Sequence, residues 1–250
     1  MPVKTIIRLS SAPEGFGQTP DELASEGFTS TLPIQHTHIY FEDEAQGLYI
    51  GLWDTTAMVE AGGPYACDEF MWLLEGEAAI KNNKTGLVEK AKAGEAFVIP
   101  KGYDCQWHQQ GYLRKFFVIS EHPDEAIPEQ PTVEGIVIPE ADFRLQPQMK
   151  NRPFLLPQNA PIPQQNVCYR NAGDKFRAGA WQSEPFESAQ QAFPYNEFGY
   201  VEQGSLTLID QLGEAQIFDA GDAFFIPQGV ECSARASDRV RLFFAEIHSA

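Results

Sequence analysis

Cys67-Asp68-Glu69-Phe70-Met71-Trp72-Leu73-Leu74-Glu75-Gly76 decides the fold, because the chain carries this pattern twice. Its counterpart is Tyr195-Asn196-Glu197-Phe198-Gly199-Tyr200-Val201-Glu202-Gln203-Gly204. Downstream, Ala93-Gly94-Glu95-Ala96-Phe97-Val98-Ile99-Pro100-Lys101-Gly102 is echoed by Ala220-Gly221-Asp222-Ala223-Phe224-Phe225-Ile226-Pro227-Gln228-Gly229. Upstream, Gly51-Leu52-Trp53 matches Gly179-Ala180-Trp181. The offset is 128 at the Trp and Glu positions and 127 from the Gly-Pro segment onward, so one residue is missing from a hairpin in between. Self-similarity at a fixed period means that one structural unit is built twice.

Each copy reads as short strands. Leu48 to Val59, Glu69 to Leu74, Ala78 to Lys81, Ala96 to Ile99 and Leu113 to Ile119 are apolar, aromatic or β-branched and bounded by turn residues. Asn82-Asn83-Lys84-Thr85-Gly86 and Asp210-Gln211-Leu212-Gly213 are hairpin loops at matching places. The fold class this predicts is all-β, two tandem jelly-roll barrels. The barrels are expected at residues 30–120 and 165–250. An N-terminal arm, 1–29, should carry a short helix with Thr19 as N-cap, Pro20 at the first helical position and Gly27 closing it. Residues 121–164 read as a proline-rich linker, with Ile136-Val137-Ile138 and Phe154-Leu155-Leu156 laid against a barrel.

Asp and Glu number 35 against 18 Lys and Arg, a net charge of -17 over 250 residues. Such a surface repels phosphate backbones and anionic lipid, so neither nucleic acid nor a membrane is an expected partner. Met1-Pro2-Val3-Lys4 lacks the apolar core of a signal peptide, which makes the cytoplasm the expected location. The four cysteines, with no Cys-x-x-Cys spacing, are expected as reduced thiols.

Glu-x6-Gly followed by Gly-x5-Pro-x-Gly resembles the two sequence motifs of the cupins, and both copies carry them. The Asp-Glu-Phe or Asn-Glu-Phe opening, with Trp107 after the second motif, is similar to the cupin branch that includes ureidoglycine aminohydrolase. The resemblance implies the duplicated jelly roll and, in metal-dependent members, three His and one Glu converging inside a barrel. Here those His positions fall on Gly62/Pro64 or Gly63/Tyr65 in the first copy and on Gln190/Ala192 or Gln191/Phe193 in the second. The third falls on Cys105 and Cys232. Only the Glu remains.

The candidate pocket residues are therefore Glu69, Cys105 and Trp107 in one barrel and Tyr195, Glu197 and Cys232 in the other. Each Cys reads either as a buried, inert hydrophobe or as a thiol facing the carboxylate. Cys67, Glu69 and Cys105 form a candidate three-ligand site for Zn or another divalent metal in the first barrel, while the second is expected to be metal-free. The functional expectation is a bicupin that binds or transforms a small polar metabolite; if an enzyme, a hydrolase of aminohydrolase type. The alternative is a non-catalytic bicupin that binds a small molecule or serves a structural or regulatory role. Phe70, Trp72, Phe198 and Tyr200 are expected to be buried between barrels or in a homodimer interface. His36 and His38 read as surface residues of a strand.

Overall fold

The computed structural model describes residues 5–139, 146–147 and 162–248 of the chain. It resolves into two compact units, residues 11–139 and residues 1–10 with 140–250. Phe154-Leu155-Leu156 lies outside the described residues, as do residues 140–145 and 148–161 of the linker as a whole.

The first unit contains β2 (Gln35–Asp43), β3 (Leu48–Thr55), β4 (Met58–Val59), β5 (Gly63–Pro64), β6 (Asp68–Glu75), β7 (Glu77–Asn82), β8 (Val88–Lys92), β9 (Ala96–Ile99), β10 (Asp104–Gln109) and β11 (Leu113–Ser120). One sheet runs β2-β3-β11-β6-β9; the other runs β4-β10-β7-β8, with β5 also on β10. The second unit contains β1 (Ile7–Leu9), β12 (Gln146–Pro147), β13 (Gln164–Arg170), β14 (Phe176–Ser183), β15 (Phe186–Glu187), β16 (Gln191–Ala192), β17 (Asn196–Gln203), β18 (Ser205–Asp210), β19 (Ala215–Asp219), β20 (Ala223–Ile226), β21 (Glu231–Ala236) and β22 (Val240–Ile247). Its sheets repeat the order of the first as β13-β14-β22-β17-β20 and β15-β21-β18-β19. Both units are antiparallel jelly-roll barrels. The missing residue lies in the hairpin loop, since five residues separate β7 from β8 and four separate β18 from β19.

The repeated motifs have a physical reading. Gly76 and Gly204, which end Glu-x6-Gly, have φ of 86° and 82°. A Cβ on either would stand 2.2 Å from a backbone oxygen, so the turn that follows the Glu strand accepts only glycine. The residue before each Glu ties the two motifs together. Asp68 accepts the Lys101 backbone N–H at 3.0 Å, and Asn196 accepts that of Gln228 at 2.8 Å. Side-chain alternation then sends Glu69, Met71 and Leu73 to the barrel interior and Phe70 and Trp72 to the opposite face. Phe70, Trp72 and Phe198 are buried, whereas Tyr200 is half-buried.

The flanks behave differently from the sequence reading. The helix expected from Thr19 does not form; a single 3-10 turn spans Ser25–Gly27. Asp21 is drawn into the sheet instead, donating its N–H to the Gln35 carbonyl and accepting both the Thr37 N–H and hydroxyl on its carboxylate. A segment with no apolar face has little to gain from helix formation against those bonds. The start of the arm is a strand, because β1 pairs with β20 and extends the second barrel's sheet. Ile6 enters that barrel's core. In the first barrel the matching edge strand, β9, bridges Val98 to Val137, while Ile136 and Ile138 pack on the core. Each of these two sheet edges is thereby covered by a short flanking segment. No helix of the described residues is long and apolar enough to cross a membrane.

Candidate functional site

In the first barrel, β6 supplies Glu69 and β11 supplies Leu113, Lys115, Phe117 and Ile119 to the same interior face. Lys115 is an exception in an apolar row. Its Nζ lies 2.7 Å from Glu69 Oε1, with both side chains almost fully buried. The ammonium also donates to Met71 Sδ at 3.0 Å and sits 4.8 Å from the ring centres of both Trp53 and Trp107. The other carboxylate oxygen, Oε2, accepts the Tyr65 hydroxyl. Burial, and then the Glu69 charge, push the Tyr65 phenol well above its usual range, so it remains a donor.

This arrangement opens to one side. A pocket of about 260 Å³ is walled by Ile39, Tyr49, Trp53, Phe117 and Ile119, with Thr37, Glu69 and Lys115 as its polar groups. Gly51 makes room for one of its walls, the Phe117 ring. The residue sits inward on β3, where a Cβ would stand 2.4 Å from the Phe117 ring and 2.6 Å from the His38 carbonyl. Gly51→Ala is expected to displace that ring, narrow the pocket and cost about 1–3 kcal/mol, read by urea unfolding.

The candidate residues are distributed around this centre. Trp107 is buried behind the ammonium, outside the pocket's lining. Cys105 is part of the apolar core beside it, and its thiol is pushed up to about 12 by burial and neighbouring carboxylates. Cys67 is buried, and burial followed by the Glu69 charge pushes its thiol well above the usual range. The zinc set expected of Cys67, Glu69 and Cys105 is not assembled: among the described residues no group of three His, Cys, Asp or Glu could hold a metal ion. The physical reason is the donor set. Both Glu69 oxygens are engaged by Lys115 and Tyr65, and both thiols are held protonated. A fixed ammonium neutralises the carboxylate that a metal would need. Glu60, which follows β4, adds one more titratable group; desolvation raises its carboxyl to about 7 against the opposing pull of Lys115.

The second barrel lacks the pair. Leu242 faces Trp181 and Val201 there as Lys115 faces Trp53 and Leu73. Glu197 and Cys232 are buried, and Phe193, Tyr195, Phe224, Leu242 and Phe244 join one core. Burial and the Glu197 charge raise the Cys232 thiol to about 12. Tyr195 donates to Glu246 at 3.2 Å, and its ring centre lies 4.4 Å from that of His248. His36 and His38 are half-buried rather than freely exposed, and His36 bonds Asp54 at 2.7 Å, outside the pocket's lining.

Lys115, Tyr65 and Trp53 are candidate site residues to which motif reading assigns no role. A signal was present for Lys115, because alternation along Leu113 to Ile119 places it inward and the second copy has Leu242 there.

Residues 170–244 match the family described as the EutQ-like cupin domain. Among solved structures, a protein of unknown function from Pseudomonas syringae pv. tomato str. DC3000 is similar with a TM-score of 0.76 at 21% identity, covering 97% of this chain and 99% of that one. A point mutant of salicylate 1,2-dioxygenase from Pseudoaminobacter salicylatoxidans is similar at 0.54 and 13% identity, covering 81% and 71%. Protein Ylba from E. coli is similar at 0.54 and 12% identity, covering 92% and 87%. Among curated proteins no sequence matches this chain. At these identities the likeness establishes the fold, which is the cupin barrel built twice.

Proposed function

We propose that the first barrel binds a small molecule with a compact apolar body and one carbonyl-type head, seated over Trp53 with the head at Lys115 and Glu69. The observation that carries this reading is a buried ion pair opening onto an apolar pocket. Burying such a pair is costly and rarely adds stability over apolar residues of similar size. The matching position in the second barrel is Leu242, so the fold does not need a lysine there. Convergent polar groups at the end of an apolar cleft are the usual form of a small-molecule site. The lining shifts the expected ligand from a polar metabolite to one whose polarity is confined to its head. The metal-assisted aminohydrolase chemistry implied by the resemblance to that branch has no matching donor set, so the reading rests on the chain's own ammonium and carboxylate.

Benzamide is a suitable probe, since its oxygen accepts from an ammonium and its ring fits the aromatic wall. Ligand-observed NMR should show saturable binding to the wild type. Ile39, 40% exposed at the pocket, tolerates a larger side chain, and Ile39→Trp should abolish binding while leaving thermal unfolding unchanged. Equal binding by both proteins, or none by the wild type, contradicts the reading.

A further inference from the structure

We propose that Lys115 is a carbonyl-condensing lysine, forming an imine with aldehydes that enter the first barrel's pocket. The inference rests on the binding reading above and names its reactive class. Three buried side chains of the first barrel whose charges act on or contact Glu69 carry nucleophilic atoms suited to a carbonyl: Cys67, Cys105 and Lys115. Both thiols are held protonated by burial and by the nearby carboxylates, which leaves them poorly nucleophilic. Lys115 differs because it lines the pocket and has a proton acceptor in contact, Glu69 Oε1 at 2.7 Å. A desolvated lysine beside a base is a recurring form of amine nucleophile.

The chemistry closes on these two groups. Glu69 Oε1 takes one proton from the Lys115 ammonium, turning a buried ion pair into a neutral amine and a neutral acid, while Tyr65 keeps its bond to Oε2. The amine lone pair forms a bond to the carbonyl carbon, and the carbonyl π electrons move to oxygen. A proton passes from nitrogen to that oxygen, giving a neutral carbinolamine. Glu69 then protonates the hydroxyl, the C–O bond breaks, and water leaves as the nitrogen lone pair forms C=N. The product is a protonated imine paired with the Glu69 carboxylate, with one water released and no change of oxidation state. Both ends of the sequence hold the same charge pair, so neither strands a lone carboxylate in the barrel. The two indoles that flank the ammonium in the resting state can stabilise the cationic imine in the same way.

The test incubates the full-length wild type with benzaldehyde and sodium cyanoborohydride at neutral pH, followed by peptide mapping for N-benzyl-lysine. The chain has nine lysines, which serve as internal controls. Lys115 should be modified faster than any other lysine by about an order of magnitude. Excess benzamide, which cannot condense, should suppress that modification alone, and Ile39→Trp should lose it. Benzamide binding without preferential labelling of Lys115 overturns the imine and leaves the pocket standing. Neither binding nor preferential labelling overturns both. Labelling of Lys115 that benzamide and Ile39→Trp leave unchanged also overturns the proposal, since the amine would then be reached by another route.

Discussion

Lys115→Leu is expected to destabilise the first barrel by about 3–5 kcal/mol near neutral pH. The variant places in this barrel the residue that the second carries as Leu242, so shape alone does not account for the loss. What remains is the Glu69 carboxylate, buried at 3% exposure, with Tyr65 as its donor and the contacting ammonium gone. A buried carboxylate that has lost its contacting cation carries the uncompensated desolvation cost of its charge. The double variant Glu69→Gln/Lys115→Leu removes the charge and keeps an acceptor for Tyr65, so it should recover most of the stability. Urea unfolding of the two single variants and the double variant supplies the cycle. An undiminished loss in the double variant would mean that the lysine acts through packing.

Glu60 makes the second large effect, and its sign is the reverse of an ordinary acid titration. Its carboxyl rises from 4.5 in the unfolded chain to about 7 in the fold, chiefly by desolvation; Lys115 opposes the shift and Glu69 adds to it. Between those values the folded protein binds the extra proton, so stability from this group is complete below about pH 4.5 and falls as pH rises through 7. The shift corresponds to about 3 kcal/mol. Glu60→Gln should therefore flatten the decline between pH 5 and 8, taken as a wild-type-minus-variant difference so that other carboxylates cancel, roughly to that extent. Parallel curves for wild type and variant would show that Glu60 is solvated.

The architecture was legible because its two motifs describe turns. Gly76, Gly204 and the Pro-x-Gly turns fix where strands begin and end, and β9 spans the Ala96 to Ile99 expected from composition. The continuous segment expected from Leu48 to Val59 breaks after Thr55, because the chain leaves β3 and crosses to the other sheet as β4. Nothing local marks that crossing. The helix expected over Thr19–Gly27 fails for a different reason. Capping residues mark where a helix would begin, but only an apolar stripe makes it worth forming, and Asp21 found partners in β2. The role of β1 was hidden as well, since the arm was expected to carry only a helix and nothing in Ile7-Arg8-Leu9 points to β20 as its partner.

At the site, Glu69 was legible as an inward carboxylate, but its cationic partner was not. The positions that the cupin resemblance assigns to histidine ligands fall here on Gly62/Pro64 or Gly63/Tyr65 and on Cys105, with Gln190/Ala192 or Gln191/Phe193 and Cys232 in the second copy, and none of these is a cation. Tyr65 is a hydrogen-bond donor to Glu69, and Cys105 a member of the core. The cation comes from β11, well beyond both motifs in sequence, where alternation alone identifies Lys115. Sequence order also hid the pocket's character, because Ile39, Tyr49, Trp53 and Phe117 come from three strands that only the sheet order brings together.

The most direct test of a carbonyl-binding pocket at Lys115 is a crystal structure of the wild-type protein with benzamide. Density is expected in the first barrel alone, with the amide oxygen in hydrogen-bond reach of Lys115 Nζ and the ring against Trp53 and Phe117. Benzamide held in the second barrel, or in the first with its head turned away from Lys115 and Glu69, would contradict it.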